Sequence, residues 1–155
     1  HDDMTPDMRA WYRSLGVTVA EFPIDEATAR AADAHGEAIV FGAPNVVRGG
    51  SHTGCPSAEA MVRAGLCSIL ASDYYYPALA LAPFLLARRG AASFAEAWAL
   101  VSRAPARALG LHDRGVIAPG KRADLVLVEE GPHPRIVATI AGGRLVHLAD
   151  QRLLA

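Results

Sequence analysis

Apolar and polar positions along this chain follow two rhythms, and the rhythms divide it into elements. Near the start, Met8, Trp11, Tyr12 and Leu15 recur at three- and four-residue steps, the spacing of one helix face. Thr5, Pro6 and Asp7 supply an N-cap, a first-turn proline and a first-turn acid, and Gly16 stops the helix. Residues 17–22 then read as a strand closed by Pro23, and Asp25 opens a second, alanine-rich helix ending near Gly36. Apolar runs at 38–41 and 66–71 predict two more strands, the latter finishing in Ser72-Asp73. Ser57 caps a short helix through Ala64, and a helix over 77–89 is weakened or kinked by Pro83. Ser93 and Glu96 make a capping box for the next helix, with Phe94, Trp98 and Val101 on its buried side, and a helical turn follows at 104–110. The strands are apolar throughout and alternate with helices through short connections. That pattern predicts an α/β fold with a parallel sheet covered by helices.

After Leu111 the rhythm changes. Gly115, the Pro119-Gly120 turn and the run 125–128 suggest β structure, and 135–141 with 144–148 read as a hairpin around Gly142-Gly143. The expected division is therefore residues 1–111 and residues 112–155. The tail is too short to make a stable β layer alone.

The chain has 155 residues, 52% apolar and 20% charged, which predicts one ordinary globular core rather than disorder. A net charge of −1 argues against a broad nucleic-acid surface, so any anion site must be local. Cys55 and Cys67 have neither metal-type spacing nor the pattern of a disulfide framework, which fits a reducing, cytoplasmic setting. The apolar stretch 79–87 is too short to span a bilayer, so no membrane partner is expected. The sequence opens at His1 rather than Met, inside what looks like a motif, and a piece of something longer is expected.

Four places could carry chemistry. Residues 42–54 form a glycine-rich stretch in which Asn45, Arg48, Gly49, Gly50, Ser51 and His52 are crowded together. Such a loop could cradle a phosphate through inward-facing amides and the planar fork of Arg48. It could equally be structural, with Arg48 paired to a carboxylate. It is no Walker motif, since the sole lysine is Lys121. Asp73 directly follows an apolar strand, where α/β sheets and barrels place active sites, so it could bind a metal or accept a proton. It could also simply cap the next turn. His1 with Asp2 and Asp3 forms a compact donor cluster of zinc-type ligands, or an exposed terminus with two capping acids. The tyrosines 74–76 could line a pocket or serve packing.

Together these residues resemble the amidohydrolase superfamily. Ser102-Arg103-Ala104-Pro105-Ala106-Arg107-Ala108-Leu109-Gly110-Leu111, followed by residues 115–128, is similar to that superfamily's C-terminal signature. His-Asp-Asp at 1–3, Ala-Glu-Phe-Pro at 20–23, Gly-Ala-Pro-Asn-Val-Val-Arg-Gly-Gly-Ser-His at 42–52 and Ala-Ser-Asp-Tyr at 71–74 resemble a diphosphatase subfamily of the carbon–phosphorus lyase pathway.

The resemblance implies the C-terminal half of a distorted (β/α)8 TIM-type barrel, followed by a β tail belonging to a small composite β-sandwich. It implies a divalent metal, zinc expected, one or two ions per site, with His1 and Asp73 as ligands and Asp73 as proton acceptor for the attacking water. Asn45, Arg48, Gly49, Gly50, Ser51 and His52 would bind a phosphorylated sugar phosphonate. The implied partners are the missing N-terminal half of the barrel, on this or a companion chain, and further copies in a homo-oligomer. Two alternatives stay open: a cyclic-amide hydrolase or deaminase on the same scaffold, and a non-catalytic binding or assembly module.

Overall fold

A computed structural model describes residues 1–50 and 56–149. The order is α1 (Pro6–Ser14), β1 (Val19–Glu21), α2 (Glu26–Asp33), β2 (Ala38–Gly42), α3 (Ala43–Arg48), α4 (Ala58–Arg63), β3 (Ile69–Ala71), α5 (Pro77–Arg88), α6 (Phe94–Ala99), α7 (Arg103–Ala108), β4 (Leu125–Glu129), β5 (Arg135–Ala141) and β6 (Arg144–Leu148). The helix starts follow from their caps. Thr5 Oγ1 accepts from the Met8 N–H, Asp25 Oδ1 from Thr28, and Ser57 Oγ from Ala60, so each satisfies an otherwise orphaned first-turn donor. Ser93 and Glu96 form the reciprocal capping box.

β1, β2 and β3 form a parallel sheet in that order, with Ala20 opposite Ile39 and Phe41 opposite Leu70. The predicted mixed α/β layering with a parallel sheet is what the chain adopts. The core is rich in alanine: Ala29 and Ala32 from α2, and Ala78 and Ala82 from α5, are fully buried beside Ile39 and Leu70. Small side chains let helices approach the sheet closely, and the low volume is offset by Met61 and Leu86 filling the gaps. α5 continues through Pro83 as one helix from Pro77 to Arg88. Its buried Ala78, Ala82 and Leu86 hold that helix in the core.

β4, β5 and β6 form a separate antiparallel sheet. The Gly142-Gly143 turn between β5 and β6 has both residues at positive φ, +56° and +79°, as a two-residue hairpin of this kind requires. The Gly142 N–H donates to Asp124 Oδ1 at 2.7 Å, fixing the turn against the approach to β4. Arg88 at the end of α5 donates to the Gly131 and Pro132 carbonyls, which ties the helical layer to the β4–β5 connection.

Four expectations are corrected. The first and third strands are shorter than the runs 17–22 and 66–71 suggested. The first half of the glycine-rich stretch is helix α3, because Pro44 sits in its first turn and Ala43, Pro44 and Val46 are buried. Gly49, at φ +82°, ends that helix. Phe94 is exposed rather than buried, although it stacks with Phe84 and Trp98. On α1, Trp11 and Leu15 of the apolar stripe are exposed, and the residue turned into the core is Arg9.

Candidate functional site

In a parallel sheet all strand ends of one kind lie on one side, and here the C-terminal ends border a cleft of about 450 Å³. Glu21, Phe22 and Pro23 come from the end of β1, and Gly42, Pro44, Asn45 and Arg48 from the end of β2 and α3. Ala71, Ser72, Asp73 and Tyr74 follow β3, and His1 and Asp2 complete the wall. A larger cavity of about 830 Å³ lies between α5, α6 and the β4–β5 sheet, but its lining is mainly apolar, with Phe84, Trp98, Val126 and Ile140 prominent. The smaller cleft gathers the groups able to do chemistry, and it is the candidate site.

His1, Asp73 and the α3 residues Asn45 and Arg48, from three separate stretches of the sequence, thus line one space. His1 Nδ1 lies 2.7 Å from Asp2 Oδ2, and both side chains are exposed to the cleft. The Arg48 guanidinium crosses from α3 to donate to the Tyr74 hydroxyl, and among the described residues no carboxylate pairs with it. Asn45 Oδ1 accepts the Ala58 N–H at 2.9 Å, so that amide oxygen braces the start of α4. The Gly49 and Gly50 N–H groups donate to the Asn45 and Val46 carbonyls and close the end of α3. In this structure those two amides serve the helix end, and Arg48 is the side-chain donor of the stretch that faces the cleft. Ser51 and His52 lie outside the described residues.

The proposed three-residue donor cluster at the start of the chain is divided. Asp3 leaves the cleft for the interior, where its carboxylate meets Arg9 at 3.0 Å, each side chain only 1% exposed. Arg9 also donates to the Val17 and Val19 carbonyls, at 2.7 and 3.0 Å, and its Nε lies 3.0 Å from Glu37 Oε2 as an ion pair without hydrogen-bond alignment. Arg13 holds Glu37 from the other side, at 2.7 Å, and this raises the Arg13 pKa. Spacing alone did not reveal this network. The available signal was a charged residue, Arg9, set between the apolar positions Met8 and Tyr12.

Two backbone features shape the cleft wall. Asp2 and Phe22 both adopt positive φ, +55° and +54°. Asp tolerates this region, whereas a bulky residue such as Phe22 is strained there. The strain is held by the Phe22 N–H donating to the Val40 carbonyl, by the Asp2 N–H donating to Glu21, and by Phe22 lying edge-on to Phe41. The ring lies over Gly42, where a Cβ would meet it at 3.4 Å. Phe22 lies beside His1, ring centroids 5.8 Å apart.

A catalytic zinc ordinarily takes three protein ligands and a water. Among the described residues no group of three or more His, Cys, Asp or Glu side chains converges to hold an ion. His1 and Asp73 suit a divalent metal in donor chemistry but not in number. Nor, among the described residues, is any helix long and apolar enough to cross a membrane.

The chain is 47% identical over 129 residues to the alpha-D-ribose 1-methylphosphonate 5-triphosphate diphosphatase of Escherichia coli (strain K12), covering 82% of this chain and 34% of that protein. It thus spans about a third of that relative's length. Shorter similarities reach the adenine deaminases of Deinococcus radiodurans, 51% over 49 residues (32% of this chain, 9% of that protein), and Brucella suis biovar 1, 58% over 43 residues (26% and 7%). A crystal structure of an uncharacterized protein superposes with a TM-score of 0.65 at 20% identity, covering 94% of this chain and 44% of that one, which supports the fold alone. Residues 9–147 match the amidohydrolase family, and the chain belongs to it.

Proposed function

We propose that this chain is the C-terminal part of a hydrolase that releases diphosphate from α-D-ribose 1-methylphosphonate 5-triphosphate. The observation that carries this reading is the pairing, in one cleft at the strand ends, of the carboxylate of Asp73 with an Arg48 that no described carboxylate neutralises. The long similarity to the E. coli diphosphatase favours the triphosphate over other anions. In this reading, residues 1–111 belong to the second half of a (β/α)8 barrel and residues 112–155 to a composite β-sandwich. The remaining strands come from the rest of the polypeptide or a companion chain, within a cytoplasmic homo-oligomer.

Asp73 accepts a proton from the water whose oxygen attacks a phosphorus of the triphosphate. The bridging P–O bond breaks, diphosphate departs, and 5-phosphoribose 1-methylphosphonate remains. Arg48 holds non-reacting phosphoryl oxygens and stabilises the charge that develops on the leaving group. Asn45 fixes the wall from which Arg48 reaches, and Ser51 and His52 add donors from the adjoining segment. Amidohydrolases are generally metal-dependent. His1 and Asp73 would provide two donors to a divalent ion, zinc by their chemistry, which when bound acidifies water toward a pKa of ~7 and offsets phosphoryl charge.

The test follows diphosphate release from the triphosphate by the intact protein. Arg48→Lys keeps the charge but loses the bidentate fork, and kcat/KM should fall about tenfold. An unchanged kcat/KM would rule out this role for Arg48. The adenine deaminase similarities favour a second reading, deamination on the same scaffold. Ammonia release from adenine, with no diphosphate release from the triphosphate, would establish it instead.

A further inference from the structure

We infer that Tyr74 and Arg48 act as one anion-receiving pair, with the Tyr74 hydroxyl donating directly to a phosphoryl oxygen of the bound polyphosphate. The inference rests on the reading of the cleft as a phosphate site, and it adds a binding residue to that site.

A phenol carries one O–H donor and two acceptor lone pairs. In the cleft, Arg48 Nη1 donates to the Tyr74 oxygen and so occupies an acceptor position. The Tyr74 proton cannot return to that guanidinium, which has donors only. It is left to point elsewhere, and Tyr74 itself lines the cleft beside Asp73. The guanidinium in turn keeps its other N–H groups, so the pair presents phenolic and guanidinium donors side by side with no carboxylate among the described residues to neutralise them. A hydrogen bond from a cation polarises the phenol and makes its O–H a stronger donor.

The pair is also held in place before any ligand arrives. Arg48 stands at the last position of α3, and Tyr74 follows β3 in a turn fixed by the Tyr75 N–H donating to Ser72 Oγ at 3.1 Å. The contact spans the ends of two neighbouring strands. A long arginine side chain in solution loses rotamer freedom when a ligand orders it. Tying it to Tyr74 removes part of that loss from the binding step. Both side chains are exposed, Tyr74 at 64%, so neither is needed to fill the core.

The experiment titrates inorganic pyrophosphate into the intact protein by calorimetry, comparing the native sequence with Tyr74→Phe, Arg48→Met and the double variant. Tyr74→Phe keeps the ring, and circular dichroism checks that the fold is retained. The expected result is about a tenfold rise in Kd for Tyr74→Phe, the size of one hydrogen bond to a charged group. In the Arg48→Met background the same change should shift Kd by less than about threefold, because the phenol has lost its anchor. A Kd for Tyr74→Phe within twofold of the native value, with Arg48→Met weakened, would overturn the pair and leave the phosphate site standing. The full tenfold effect persisting without Arg48 would also overturn it. Native affinity in Arg48→Met would instead overturn the phosphate reading on which the pair depends.

Discussion

Replacing Arg9 by methionine should destabilise the chain more than removing any ordinary surface charge. Arg9 is 1% exposed, and its guanidinium serves Asp3, Glu37 and the carbonyls of Val17 and Val19. Methionine fills a similar volume but removes the Arg9 donors from Asp3 and from the Val17 and Val19 carbonyls. Glu37 keeps Arg13 at 2.7 Å, so the uncompensated charge falls on Asp3, whose Oδ1 already has no partner. Breaking a buried pair by deleting one member costs about 3–5 kcal/mol, a large share of the roughly 5–15 kcal/mol that holds a domain together. With a urea dependence of about 2 kcal/mol/M, the unfolding midpoint of the intact protein should drop by roughly 2 M. Adding Asp3→Asn to Arg9→Met should recover part of the loss, because the stranded charge is gone. Arg9→Lys should fall between, keeping the charge but losing the fork that reaches two carbonyls at once. A midpoint shift below about 0.5 M for Arg9→Met, or no recovery on adding Asp3→Asn, would refute this account of the network.

Three further outcomes are expected. Glu59 accepts from Arg63 and from Arg89, and those bonds, Arg63's first, hold its pKa below the usual glutamate value. A carboxyl depressed on folding contributes stability above its unfolded pKa and loses it as pH falls through the folded one. Urea midpoints measured between pH 7 and pH 3 should therefore fall less steeply in Glu59→Gln, and an identical slope would contradict the pairing. Burial pushes the Cys67 thiol up to about 12, so in a Cys55→Ser background iodoacetamide at pH 8 should label the protein only once denaturant is added. Prompt labelling of the native protein would show that Cys67 is accessible. Finally, Gly115 has φ +88°, and a Cβ there would lie 2.9 Å from Ala106 Cβ and 3.0 Å from Arg103 Cα. Gly115→Ala should lower stability by about 1–3 kcal/mol, read as a fall in Tm, and an unchanged Tm would show that α7 yields easily.

Much of the helical layer was legible because caps are local chemistry. Thr5, Asp25, Ser57 and Ser93 marked helix starts from single residues, and Gly142-Gly143 marked the hairpin. Asp73 was legible for a related reason: a carboxylate directly after a buried strand must emerge at that strand's end. Helix α3 was not, because glycines at 49, 50 and 54 made the whole stretch look like a loop, while Pro44 and the buried Val46 decide its first half. Arg9 and Asp3 were missed because a buried ion pair is specified by what surrounds it, not by its spacing. An apolar stripe such as Trp11 with Leu15 states which face a helix can bury; it does not state that anything covers it.

The hydrogen bond from the Ala58 N–H to the Asn45 amide oxygen has a consequence for how such a site can diversify. One side chain of α3 pins the first residue of α4, thirteen positions later, so the chain leaves and re-enters the scaffold at points fixed independently of what lies between. Closing a loop between anchored ends depends only weakly on its length, about 0.6 kcal/mol for each doubling. The connection between α3 and α4 is therefore a place where chain length can change at little energetic cost while Asn45 keeps the start of α4 in position.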